Sequence, residues 1–109
     1  MARTDLSGRV RGASLLRVLG WLPGSGIDLD VAGYAIVIRV GPDGRHKIGA
    51  LGEIGLPASL RAMAGIAAES LVFMAALVDR GLLVIHPARA ITRALHRTYA
   101  GLIGEIDAG

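Results

Sequence analysis

Apolar and polar positions alternate in short runs along this chain, and the pattern predicts strands joined by turns. Residues 27–31 alternate strictly between apolar and acidic side chains, which is typical of a strand with one buried face. Residues 34–40 are mostly apolar and β-branched, and we expect them to complete a hairpin with 27–31. Residues 71–78 and 82–86 are apolar runs on either side of Asp79-Arg80-Gly81, and we expect them to form a second hairpin. The sequence therefore predicts two similar β-hairpins.

The segments before each hairpin predict a short strand followed by a short helix. Gly20 stops the first helix, and Pro57 fits the first turn of the second. Gly41-Pro42-Asp43-Gly44 is the strongest break in the pattern and the natural boundary between two halves. The predicted elements are strands 2–6, 27–31, 34–40, 45–50, 71–78 and 82–86, with helices over 14–19 and 57–64.

The two halves resemble each other in sequence as well as in pattern. The offset between matching residues stays nearly constant and slips only in turns, as a duplicated unit predicts. Matching pairs are Gly8 and Gly52, 44 apart, Leu15 and Leu60, 45 apart, and Val37 and Val84, 47 apart. We therefore divide one domain, residues 1–109, into a first unit over 1–44 and a second over 45–87. Two units this short are expected to share one core.

Residues 88–107 have no counterpart in the first half. Ile91, Leu95, Leu102 and Ile106 form one apolar stripe, which predicts an amphipathic C-terminal helix. Two interpretations stay open for this helix. It packs on its own domain, or it joins two chains into a homodimer.

Composition narrows the classes of function. The 109 residues include no cysteine, which excludes disulfides and thiolate metal sites. The net charge is +3, and arginine supplies eleven of the twelve basic residues. Arginine suits forked contacts to phosphates and guanine edges. The histidines and carboxylates show no metal spacing and no catalytic constellation, so we expect neither an enzyme nor a cofactor.

No membrane span or leader peptide is expected. The most apolar run, residues 62–78, is short for a span and carries Glu69 near its middle. The N-terminus has the charge pair Arg3 and Asp5 and no apolar run. We expect a cytoplasmic, nucleoid-associated protein.

Three motifs carry a resemblance to a known family. Asp5-Leu6-Ser7-Gly8-Arg9-Val10 begins the first unit, and the second has Gly-x-Ile-x-Leu-Pro-x-x-Leu-Arg over residues 52–61. Gly20-Trp21-Leu22-Pro23-Gly24-Ser25 makes the turn before the first hairpin. With their order and duplication, these motifs resemble the AbrB/MazE/SpoVT swapped-hairpin superfamily. The resemblance covers nearly everything before Arg89.

The resemblance implies a mainly β fold with short helices. Two units of this family interleave their hairpins into one small β-barrel, and usually two chains supply them. Here one chain carries both, which implies an intramolecular pseudo-dimeric barrel followed by the C-terminal helix. The family grips double-stranded DNA with basic residues on the first strand of each unit and on the loop after it.

Carried over position by position, the resemblance gives seven candidate DNA contacts. Arg3 lies on the first strand, Arg9 follows the glycine, and Arg11 lies in the loop. The second unit departs from the pattern, because Glu53 stands where the family usually has arginine and Gly49 where the first unit has Asp5. A carboxylate facing phosphate would repel it. The full candidate set is Arg3, Arg9, Arg11, Arg17, Arg45, Lys47 and Arg61.

The function that the resemblance implies is transcriptional regulation through duplex DNA. One alternative is an antitoxin that binds DNA with this fold and a toxin partner with a C-terminal extension. Another is a protein-interaction module that has lost DNA binding, which Glu53 and the modest net charge would allow.

Overall fold

The structure, a computed structural model, describes residues 2–89 and residue 97. It is mainly β, with two α-helices and one 3-10 turn in this part of the chain. The helix predicted over 88–107 lies outside the described residues, apart from Ala88, Arg89 and Arg97. The strands are β1 (Ala2–Arg3), β2 (Arg9–Arg11), β3 (Gly26–Ala32), β4 (Ala35–Val40), β5 (His46–Lys47), β6 (Glu53–Gly55), β7 (Leu71–Leu77) and β8 (Leu82–Pro87). The helices are α1 (Ala13–Leu19) and α2 (Ala58–Ala64), and the 3-10 turn is Val78–Arg80.

Six strands form an antiparallel sheet in the order β1-β7-β8-β4-β3-β5, curled into a half-barrel. The other two, β2 and β6, pair with each other as a separate antiparallel ribbon. The hairpins β3–β4 and β7–β8 have the predicted partners, and β4 and β8 join them at the centre of the sheet. The hairpin predictions are therefore confirmed.

Strand register relates the two halves by an approximate two-fold arrangement. Arg3 pairs with Leu71, and its equivalent Lys47 pairs with Gly26, so each half sends its first strand to the hairpin of the other. The ribbon is symmetric about the pair of Val10 and Ile54. The centre of the large sheet is symmetric about Val37 and Val84. The sequence offset of 44 to 47 residues thus reappears as register.

Both halves contribute to one hydrophobic core. The ribbon closes one side of it through Val10 and Ile54, which are fully buried. Burying these side chains removes apolar surface from water and ties the ribbon to the sheet. The core residues are Val10, Leu16, Ile27, Ile36, Ile38, Ile48, Ile54, Leu56, Ala64, Ile66, Val72, Leu83 and Ile85.

Both helices end where the sequence predicts. Gly20 and Gly65 follow the last helical residues in the left-handed conformation, with φ of 74° and 75°. Glycine adopts this conformation without the strain that a Cβ introduces, which makes it the usual residue after a helix end. Within the described part of the chain, neither helix has the length and apolar character needed to cross a bilayer.

Two predictions about strands need correction. Strands expected over 2–6 and 45–50 are only two residues long, because the chain turns over residues 4–8 and 48–52. The ribbon strands were not predicted, and Arg11, expected in a loop, lies on β2. Three residues are too few to show a strand period, and their pairing partner lies 44 residues away in the chain.

Candidate nucleic-acid interface

The first turn, residues 4–8, is held by Asp5 and presents Arg9. One carboxylate oxygen of Asp5 accepts hydrogen bonds from the backbone N–H groups of Ser7, at 2.9 Å, and Arg9, at 2.8 Å. The other accepts from Nε of Arg9 at 2.9 Å. The hydrogen bond that the backbone N–H of Arg9 donates to the carboxylate of Asp5 is the main reason that the pKa of Asp5 lies below its ordinary value. Asp5 therefore stays ionised near neutral pH and fixes the arginine that follows the turn.

The ribbon has one buried and one outward face because strand residues alternate sides. Val10 and Ile54 point into the core. Arg9 and Arg11 face outward on β2, and Glu53 and Gly55 occupy the same face of β6. Arg9 lies opposite Gly55, and Arg11 lies opposite Glu53. Both arginines of the ribbon thus belong to the first half of the chain.

Three of the seven candidate residues meet at one concave surface. Arg3, Arg9 and Arg11 line a shallow pocket of about 480 Å³ together with Asp5 and Glu53. Nη1 of Arg3 donates to the carbonyl of Glu69 at 3.0 Å, which steadies the side chain. Arg11 is exposed and has no ion pair or hydrogen bond from its side chain within residues 2–89. We call this group the arginine pocket.

The second turn, residues 48–52, reaches the same shape with a different acid. Gly49 stands where Asp5 lies in the first turn, and Glu53 reaches back so that Oε2 accepts from the N–H of Leu51 at 2.9 Å. Leu51 is the equivalent of Ser7, so the same backbone donor is satisfied in both turns. A Cβ on Gly49 would lie 1.9 Å from Oε1 of Glu53. The Glu53 side chain fills the space of the missing aspartate.

This contact changes the interpretation of Glu53. We expected its carboxylate to face phosphate and repel it, whereas one of its oxygens is bonded inside its own turn. The sequence contains the signal, since an acid is lost at 49 and gained at 53 when the two units are compared. Recognising the exchange needs the geometry of the turn.

Charge is distributed unequally between the two turns. Positions 3, 5, 9 and 11 carry three arginines and one aspartate, a net charge of +2. The equivalent positions 47, 49, 53 and 55 carry one lysine and one glutamate, a net charge of zero. The basic surface is therefore built from the first half of the chain.

The other four candidates lie elsewhere. Arg61 is half-buried on α2, where its Nε donates to the carbonyl of Leu56 at 2.9 Å and its guanidinium packs over Gly8. Arg17 is exposed on α1. Arg45 precedes β5 and Lys47 lies on it, at the opposite edge of the large sheet from β1. These four do not line the arginine pocket.

A second concavity, of about 350 Å³, lies beside α1 and is mainly apolar. Trp21, Leu22, Leu51 and Arg17 are among the residues that line it. Leu22 and Leu51 are 70% and 65% exposed. We call this surface the α1 groove. At the equivalent place beside α2, the side chain of Arg61 lies over Gly8 of the first turn, which is the equivalent of Gly52.

Among the residues that the structure describes, no three His, Asp or Glu side chains come together as metal ligands. Comparison of the chain with known protein families, with curated proteins and with solved structures found no match.

Proposed function

We propose that this chain is a DNA-binding transcriptional regulator made of two fused swapped-hairpin units of the AbrB/MazE/SpoVT type, a pseudo-dimeric barrel in one chain. The crossed pairing supports this fold, because β1 joins β7 of the second half and β5 joins β3 of the first. Neither half keeps its first strand for its own hairpin. The proposal includes a cytoplasmic, nucleoid-associated location and no catalytic role.

The arginine pocket is the observation that carries the proposal. Three guanidinium groups on one exposed surface favour a polyanion, and arginine forms paired hydrogen bonds with phosphate oxygens. The buried side chains of Val10 and Ile54 hold the strand that presents Arg9 and Arg11, so its backbone loses little conformational entropy on binding. The Asp5 carboxylate also restricts the side chain of Arg9, because it accepts a hydrogen bond from Nε of Arg9.

The candidate residues have different roles in this proposal. Arg3, Arg9 and Arg11 grip the phosphate backbone. Arg17, Arg45 and Lys47 add long-range attraction, which salt screens. Arg61 contributes through the packing of the first turn rather than through DNA, since its guanidinium is bonded to Leu56 and covers Gly8.

The test compares Arg11→Ala with Arg80→Ala in a fluorescence anisotropy titration on a 30-base-pair duplex of mixed sequence. Arg80 is exposed at the tip of the β7–β8 hairpin, so its loss changes net charge equally but spares the arginine pocket. Each lost phosphate contact reduces the salt slope by about 0.9, so Arg11→Ala should shrink the affinity ratio between 50 and 200 mM salt about 3.5-fold. Equal effects of the two variants, or no binding by the wild type, would refute the proposal.

A protein partner is the second candidate, and the α1 groove favours it. Exposed leucines beside a tryptophan provide the apolar anchor that protein interfaces use. Under the antitoxin alternative this partner is a toxin, and under the module alternative it replaces DNA. Binding through this groove would respond weakly to salt and would be lost in Leu22→Asp but not in Arg11→Ala. A homodimer through residues 88–107 remains a separate prediction, which light scattering measures.

A further inference from the structure

The two turns satisfy the same backbone group with acids at different positions. In the first turn Asp5 accepts the N–H of Ser7, and in the second Glu53 accepts the N–H of Leu51. Because the acid of the second turn comes from the ribbon itself, the ribbon position equivalent to Arg9 is taken by Glu53. A cation at 53 would leave the second turn without its acceptor as long as residue 49 is glycine. The exchange therefore makes the ribbon unequal in charge.

Gly55 completes the asymmetry, and no steric constraint requires glycine there. A Cβ added at Gly55 would meet no atom within 4 Å, and its φ is not in the left-handed region. Its equivalent is Arg11. The fold would accept an arginine at 55, so the basic character of the ribbon is confined to one strand by sequence and not by shape.

Resting on the proposed function, we infer that the protein reads a non-palindromic DNA site in one fixed orientation. Arg9 and Arg11 of β2 reach phosphates and base edges of one half-site, and Glu53 is the positioning residue of the second turn. Rotating the protein by its approximate two-fold would bring Glu53 and Gly55 to the places of Arg9 and Arg11. Arg9 and Arg11 would then lie over the other half-site, where they find the same phosphates but different base edges. Arginine contacts to guanine edges discriminate between bases, so on a non-palindromic site this orientation should bind about tenfold or more weaker.

Selection of duplexes from a random 20-base-pair pool by the full chain tests the orientation. The wild type should select a non-palindromic consensus. The variant Gly49→Asp/Glu53→Arg/Gly55→Arg gives the second half the residues of the first and should shift the consensus toward two-fold symmetry. A palindromic consensus from the wild type would overturn the inference. Failure of the wild type to retain any duplex would instead refute the proposed function.

A second measurement does not depend on the grafted variant. The chain has no cysteine, so Ser7→Cys and Leu51→Cys each give one attachment site for an iron chelate that cleaves nearby DNA. The two positions are equivalent, and both are exposed. In a fixed orientation, each conjugate cuts one flank of the selected duplex, and the two cut opposite flanks. Equal cutting of both flanks by both conjugates would overturn the inference.

The role of Glu53 in the second turn can be measured without DNA, from the thermal stability of variants. Glu53→Ala removes the acceptor of the Leu51 N–H and should lower Tm by about 2–5 °C. Gly49→Asp added to Glu53→Ala should restore Tm, because the aspartate then occupies the space that Glu53 vacates. Gly49→Asp alone should lower Tm, since its Cβ meets Oε1 of Glu53. Absence of rescue in the double variant would show that Glu53 does not substitute for Asp5.

Discussion

Gly8 is the position where one added methyl group should disturb both the first turn and α2. Gly8 has φ of +78°, and a Cβ there would lie 2.3 Å from Nε and 2.5 Å from Cζ of Arg61. Cδ of Arg61 lies 2.9 Å from the same point, so the side chain must move as a whole. Its hydrogen bond to the carbonyl of Leu56 is then lost.

The cost of Gly8→Ala has two parts. Placing a non-glycine residue in the left-handed region costs about 1–2 kcal/mol. Loss of a hydrogen bond from a charged donor adds about 1.5–3 kcal/mol, so the free energy of unfolding should fall by roughly 2.5–5 kcal/mol. Gly24 has φ of +84° with open space around its Cβ position, so Gly24→Ala should cost only the first part.

Urea unfolding of five proteins measures the difference: wild type, Gly8→Ala, Gly24→Ala, Arg61→Ala and Gly8→Ala/Arg61→Ala, with Arg61→Ala as the reference for the last. Removing Arg61 removes the clash, so Gly8→Ala should cost only backbone strain in that background. The coupling between positions 8 and 61 should then be about 1.5–3 kcal/mol. If Gly8→Ala costs no more than Gly24→Ala, the packing of Arg61 over Gly8 is not what fixes this glycine.

Three further predictions concern stability. Because the folded state lowers the pKa of Asp5 below its ordinary value of 3.8, ionised Asp5 stabilises the fold above that pH, and the contribution is lost as pH falls through the lower value. Thermal melts should therefore show a steeper fall in Tm below pH 4 for wild type than for Asp5→Asn. Thr4 is buried, and its hydroxyl is hydrogen-bonded to backbone groups of residues 67 and 70. In urea unfolding, Thr4→Val should lower the free energy of unfolding by about 1–3 kcal/mol, and Thr4→Ser by clearly less. Ile36→Ala should cost about 2–5 kcal/mol, and a cost near that of Met63→Ala, a 66% exposed control, would contradict the assignment of the core.

The local pattern of apolar and polar residues was sufficient to predict the longer strands and the helices. The hairpin strands predicted over 27–31 and 34–40 are β3 and β4, one residue different at most at each end. The helices end at Gly20 and Gly65 because the chain must reverse there and glycine permits it. Seven-residue strands and helices contain enough positions for their period to be recognised.

The candidate site was predictable in part. The three arginines of the pocket were all among the predicted residues, and their convergence depends on β1, β2 and the first turn lying together. The separate environment of Arg61 and the direction of the Glu53 carboxylate were not predictable from the motifs. The first depends on the approach of Arg61 to Gly8 across the two halves, and the second on the approach of Glu53 to Leu51 across a folded turn. Motif positions carry no information about such approaches.

The sequence alone determined the two hairpins, the two helices with the glycines that end them, and the offset of 44 to 47 residues between matching positions of the two halves. Each of these depends on neighbouring residues or on comparison of the two halves. Only the tertiary structure decided that β2 pairs with β6, that each half lends its first strand to the other hairpin, and that one strand of the ribbon holds both arginines on a shared outer face. The physical reason is that distant strands pair when doing so closes a common core. The free energy of that pairing comes from contacts between residues far apart in the chain, so a local sequence pattern does not predict it.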